Sequence, residues 1–147
     1  MDALNNVNIL LVEDNAQDAE LCIRSLRKGG MGNGLQHVED GAEALDFLFC
    51  RNAYREREVA QQPRIILLDL KLPKVDGLDV LRALKSDERT RSIPVVIVTS
   101  SREDPDIKTA YALGANSYVV KPVNCEDFAA AMLQLGLYWT LLNQPPH

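Results

Sequence analysis

The chain has 147 residues, 46% apolar and 25% charged, which is the make-up of one globular domain with enough core to need neither disulfides nor structural metal. Its 16 basic and 21 acidic residues leave a net charge of −5, so direct binding to nucleic acid is not expected. The longest nearly apolar stretch, residues 128–142, falls short of the ~20 residues a membrane-spanning helix needs, and residues 1–11 lack the basic start of a secretory signal, so no membrane partner and a cytoplasmic location are expected.

In chain order, residues 8–12 (NILLV) form a short apolar run of the kind that suits a strand buried on both faces. Residues 15–28 follow with helical spacing at Ala19, Cys22, Ile23 and Leu26, and Gly29 and Gly30 end the helix. Residues 35–38 make a weak second strand. Asp40 reads as the N-cap of a helix over 42–50, and the charged stretch 51–62 reads as a solvated extension of that helix plus a loop. A third strand over 64–72 carries Asp69 toward its end, and a helix covers 76–85. The fourth strand is 93–99, followed by a helix near 106–113 that Gly114 ends. The fifth strand is 116–120. Asn124 with Asp127 resembles a capping arrangement for a last helix running to about Asn143, before Pro145 and Pro146.

Five alternations of strand and helix predict an α/β fold, a doubly wound five-stranded parallel sheet between two helical layers. Ligands of such sheets bind outside the carboxyl ends of the strands. There the chain places Glu13 and Asp14 (first strand), Asp69 (third), Thr99 and Ser100 (fourth) and Lys121 (fifth). Three clustered carboxylates require a neutralising cation, and an oxygen-only donor set favours Mg²⁺, with Mn²⁺ able to substitute. A lysine and a hydroxyl beside them suit the remaining oxygens of a phosphoryl group, and an aspartate can accept that group covalently. Cys22, Cys50 and Cys125 form no metal-binding spacing and read as separate reduced thiols. The glycine-rich run 29–34 follows a helix and lacks the Lys-Ser/Thr of a phosphate loop.

The motifs LLVEDN (10–15), LLDLKLPKVDG (67–77), IVTSS (97–101) and GANSYVVKP (114–122) resemble the receiver domain of two-component response regulators over about residues 7–135. Within that family the chain is similar to single-domain regulators paired with cyanobacterial phytochromes, through the 51–62 insertion and the tail with Tyr138 and Trp139. The resemblance implies a flavodoxin-like sheet in the order 2-1-3-4-5, with one receiver domain over 1–147 and a helical extension at about 136–147. It implies Asp69 as phosphoacceptor, and Glu13, Asp14, Asp69 and the main-chain carbonyl of Lys71 as the Mg²⁺ site. Lys121 matches the phosphoryl-contacting lysine, Thr99 the switch hydroxyl and Tyr118 the switch aromatic. The implied function is acceptance of a phosphoryl group from a sensor histidine kinase, a phytochrome in the light-responsive case, with output through contact with an unidentified protein. That is signalling, not enzyme turnover, although such a domain assists its own phosphorylation and dephosphorylation.

Two rival readings fit less well. A hydrolase of the haloacid-dehalogenase kind wants a second acid two residues after its nucleophile, where this chain has Lys71. A nucleotide-binding domain wants a glycine-rich first turn, where this chain has Glu13-Asp14-Asn15. On the last helix, Phe128, Met132, Leu135, Trp139 and Leu142 form one apolar stripe, which leaves Leu133, Leu137, Tyr138 and Leu141 over on adjoining faces. A two-fold homodimer through this helix is expected, with Leu137, Tyr138 and Leu141 in its interface.

Overall fold

A computed structural model of the chain describes residues 7–100 and 105–142. The elements are β1 (Ile9–Val12), α1 (Ala16–Lys28), β2 (Leu35–Val38), α2 (Gly41–Leu48), β3 (Ile65–Asp69), α3 (Gly77–Ser86), β4 (Val95–Thr99), α4 (Pro105–Ala112), β5 (Ser117–Val120), α5 (Cys125–Gln134) and α6 (Tyr138–Leu141). All strand pairs are parallel, and the order is β2-β1-β3-β4-β5. This is the flavodoxin-like arrangement anticipated above.

The pleat sends alternate residues to opposite faces of the sheet. Leu10, Val12, Ile66, Leu68, Val95 and Ile97 pack with Phe47, Leu48, Val80, Leu81 and Leu84 beneath α2 and α3. Ile9, Leu11, Ile65, Leu67, Val96 and Val98 pack with Cys22, Leu26, Phe128 and Met132 beneath α1 and α5. Strands β1, β3 and β4 are buried along their whole length, which is why they read as unbroken apolar runs. The edge strands β2 and β5 are only partly buried, and their patterns are correspondingly mixed.

Expected caps are present. Asp40 Oδ1 accepts from the Glu43 N–H at 2.7 Å, and Asn124 Oδ1 accepts from the Asp127 N–H at 2.8 Å. At the other end of α1, the Gly30 N–H donates to the Arg27 carbonyl and the Met31 N–H to the Leu26 carbonyl, with Gly30 at φ +77°. That pair of bonds is the left-handed glycine stop of a helix C-terminus.

Two expectations are corrected. The 51–62 stretch does not extend α2. The Cys50 N–H donates to the Phe47 carbonyl, the Arg51 N–H donates to the Asp46 carbonyl, and Cys50 takes φ +55°, which turns the chain out of the helix. Nor is the stretch simply solvated: Arg57 is 4% exposed. Its guanidinium stacks 3.8 Å from the Phe47 ring centroid, donates to the carbonyls of Phe47 and Gln61, and lies 3.5 Å from Cys50 Sγ. Gln62 Nε2 donates to the Leu48 carbonyl at 2.8 Å, so two side chains of the insertion cap the last turn of α2. Arg57→Ala would remove a desolvated cation–π contact and leave α2 carbonyls unbonded, and should destabilise the protein by about 2–3 kcal/mol, read as a lower urea midpoint.

The last helix is also not continuous. Gly136 takes φ +72°, its N–H donates to the Leu133 carbonyl at 3.0 Å, and the Leu137 N–H donates to the Met132 carbonyl at 2.8 Å. The chain then returns as the single turn α6. Leu141 is 2% exposed within the α1/α5 core, and Leu137, Tyr138 and Leu142 pack against that core. Leu137, Tyr138 and Leu141 therefore cover this chain's own core and do not form the surplus face assigned to them. The side chain of Trp139 and residues 143–147 lie outside the described residues.

Candidate functional site

The sheet register brings the strand ends together. Asp69 is level with Val98 on β4, and Thr99 is level with Val120 on β5. The Lys121 N–H donates to the Thr99 carbonyl at 2.7 Å, which carries Lys121 one step beyond the β5 end. A cleft of about 260 Å³ opens there, lined by Glu13, Asp14, Asp69, Lys71, Thr99 and Lys121, together with Asn15, Asp18, Leu70 and Ser100. Every residue assigned to phosphoryl or metal chemistry thus lies on one cavity. Tyr118 lies apart from it, 37% exposed, with its ring edge-on to Tyr111 at 6.1 Å between centroids.

Within the cleft the ammonium of Lys121 sits among carboxylates. Its Nζ is 2.7 Å from Glu13 Oε1, 2.9 Å from Asp18 Oδ2 and 3.0 Å from Asp69 Oδ2. The last two contacts are hydrogen bonds; the Glu13 contact is an ion pair outside hydrogen-bond geometry, so Glu13 Oε1 is buried with no hydrogen-bond partner. The other Glu13 oxygen accepts the Asn15 N–H at 3.2 Å, and Asp69 Oδ1 accepts the Lys71 N–H at 3.2 Å. His37 on β2 has Nε2 2.8 Å from the Glu13 carbonyl and anchors the backbone at this corner.

The electrostatics follow from burial and neighbours. Burial raises the Glu13 carboxyl to about 7; Lys121 opposes the shift and Asp69 adds to it. For Lys121 burial disfavours the charged form, but Glu13, Asp18 and Asp69 outweigh it and hold the amine protonated well above its usual range.

Glu13, Asp14 and Asp69 each bring a carboxylate oxygen within 4.8 Å of the others; Glu13 and Asp69 are buried and Asp14 is exposed. The donor set holds oxygen alone, and Glu13 Oε1 is buried with no hydrogen bond, meeting only the Lys121 ammonium as an ion pair. Both features fit a hard divalent cation that keeps part of its water.

Asp18 is the site residue that reading the sequence did not identify. It stands three residues after the N-cap Asn15, whose side chain accepts its N–H at 3.0 Å, so it looks like an ordinary first-turn helix acid. The available signal was its place in the first turn after the Glu13-Asp14 pair, on the helix that opens beside the cleft.

The chain matches the response regulator receiver domain family over residues 9–133. It is 41% identical over 138 residues to "Probable methanogenesis regulatory protein FilR2" of Methanothrix harundinacea, covering 94% of this chain and 86% of that one. It is 35% identical over 131 residues to "Response regulator Rcp1" of Synechocystis sp., covering 89% and 87%. The solved Mn²⁺-bound form of Rcp1 superposes with a TM-score of 0.72 at 33% identity, covering 94% of this chain and 96% of that one. The solved bacteriophytochrome response regulator RtBRR superposes with a TM-score of 0.85 at 50% identity, covering 94% and 82%.

Proposed function

This chain belongs to the response regulator receiver domain family, and from that membership we propose that it accepts a phosphoryl group on Asp69 from a sensor histidine kinase and signals by protein contact. The observation that carries the assignment is the Lys121 ammonium poised 3.0 Å from Asp69 Oδ2, at the mouth of an oxygen-only carboxylate cluster.

In the proposed step an Asp69 oxygen attacks phosphorus in line and forms the new P–O bond. The P–N bond to the donor imidazole breaks, and its electron pair leaves with that nitrogen, which takes a proton from water. The protein contributes positioning and charge neutralisation. Lys121 meets a phosphoryl oxygen, and Thr99, buried at the end of β4, offers its hydroxyl to another. Glu13, Asp14, Asp69 and the Lys71 carbonyl would hold Mg²⁺ or Mn²⁺, which when bound neutralises charge on the transferring group. Movement of Thr99 toward the phosphoryl group would free space for Tyr118 to turn inward from its exposed position, changing the α4–β5 surface.

A phytochrome as the kinase is the finer part of this reading. It is supported by the likeness to the bacteriophytochrome response regulator RtBRR. Loading by a small phosphodonor such as phosphoramidate tests the coarser part. The expected result is one phosphate per chain in the presence of Mg²⁺ and none in excess chelator; undiminished loading in chelator would overturn the metal assignment.

Self-association also belongs to the proposal, on different residues from those first assigned. Leu133 is 56% exposed, and Tyr111 and Tyr118 are exposed as well. Beside Tyr118 runs an open groove of about 540 Å³ lined by Asp127, Ala130 and Gln134 on α5. Leu133→Glu should give a folded monomer by light scattering coupled to gel filtration where the wild type is a dimer, and a wild type that stays monomeric with and without a phosphoryl mimic would end this part.

A further inference from the structure

The Lys121 ammonium has three protons and three carboxylates around it. Glu13 and Asp69 both belong to the metal and phosphoryl chemistry, so both change partners during the cycle. Once Asp69 becomes an acyl phosphate its carboxylate is no longer a free anion, and Glu13, now paired with Lys121 at 2.7 Å, is also one of the carboxylates that would hold the cation. Asp18 stands outside the carboxylate cluster, on α1, and its 2.9 Å bond to Lys121 is the one that need not change.

In the first turn of α1 the Asp18 carboxylate is directed at Lys121 and not at the helix end. In a capping box the Glu or Gln three residues after the N-cap reaches back to the N-cap N–H. Here the Asn15 N–H donates to Glu13 Oε2, and the Asp18 carboxylate turns to Lys121, 103 residues away in sequence. The link ties α1 to the end of β5 across the mouth of the cleft.

We propose that Asp18 is a positioning residue for Lys121: it holds the ammonium over the cleft while Asp69 carries the phosphoryl group and Glu13 serves the cation. The inference rests on the reading of Asp69 as phosphoacceptor. The rival role is a helix-capping acid that stabilises α1 and does nothing for Lys121.

The test titrates the full chain with beryllofluoride, a non-covalent phosphoryl mimic, in saturating Mg²⁺, with binding followed by NMR of backbone amides. Asp18→Ala and the isosteric Asp18→Asn should each weaken binding about tenfold, as loss of one charge-assisted hydrogen bond predicts. Asp18→Glu should recover most of the affinity. Lys121→Ala should weaken binding further, and adding Asp18→Ala to it should cost nothing more, because the two side chains act as one unit. A merely structural role would lower thermal stability but leave affinity unchanged, or would add its full effect in the Lys121→Ala background; either result overturns the role given to Asp18 alone. A wild type that binds no mimic overturns the phosphoacceptor reading together with it.

Discussion

Asp69→Asn should take up no phosphate from either a cognate kinase or a small phosphodonor, a fall on the order of a thousandfold or more, as for loss of any covalent nucleophile. The substitution keeps the shape of the side chain and removes the anionic oxygen that would form the P–O bond. Glu13 and Asp18 still neutralise Lys121, so the fold should stand, as circular dichroism can verify. Neighbouring acids have other tasks. Asp76 caps α3 by accepting the Leu78 N–H, and Asp79 is exposed and paired with Arg82 at 2.7 Å. Neither lines the cleft. Full labelling of Asp69→Asn would refute the assignment.

Gly77→Ala should destabilise the protein by about 3 kcal/mol, at the upper end of overpacking effects. A Cβ at Gly77 would stand 2.3 Å from the Asp69 carbonyl oxygen, 2.6 Å from Leu70 Cα and 2.7 Å from the Leu70 carbonyl oxygen. All three atoms are backbone, so no side chain can swing away. The Gly77 N–H also donates to the Leu70 carbonyl at 2.9 Å, which pins the start of α3 against the end of β3. What must move is the strand end that carries Asp69. Urea unfolding should show a lower midpoint at unchanged slope, and the folded fraction should accept phosphate more slowly than wild type. An unchanged midpoint would show that this close approach is not required.

The parts of this molecule that could be read without coordinates are those that follow a local period or a strand end. β1, β3 and β4 are buried on both faces and therefore appear as apolar runs, and each delivers its next polar residue to the same edge of the sheet. Glu13, Asp69 and Thr99 could be grouped for that reason, and Lys121 joined them as the residue after the weaker fifth strand. What was missed depends on contacts distant in sequence or on a single backbone angle. Arg57 looks solvated beside Arg55, Glu56 and Glu58, yet the Phe47 ring ten residues earlier draws it inside. Gly136 sits within the run read as one long helix, and only its positive φ shows that the chain turns there and that Leu141 folds back onto the core. Asp18 resembles a capping acid until the end of β5 brings Lys121 to it.

The most direct test of phosphoryl acceptance at Asp69 is to locate the modified residue. Wild-type protein loaded with phosphoramidate and Mg²⁺ is reduced with borohydride, which converts an aspartyl phosphate to homoserine, and then digested and sequenced by mass spectrometry. The account predicts homoserine at position 69 and nowhere else. Modification at another residue, or none in protein that has demonstrably taken up phosphate, would contradict it.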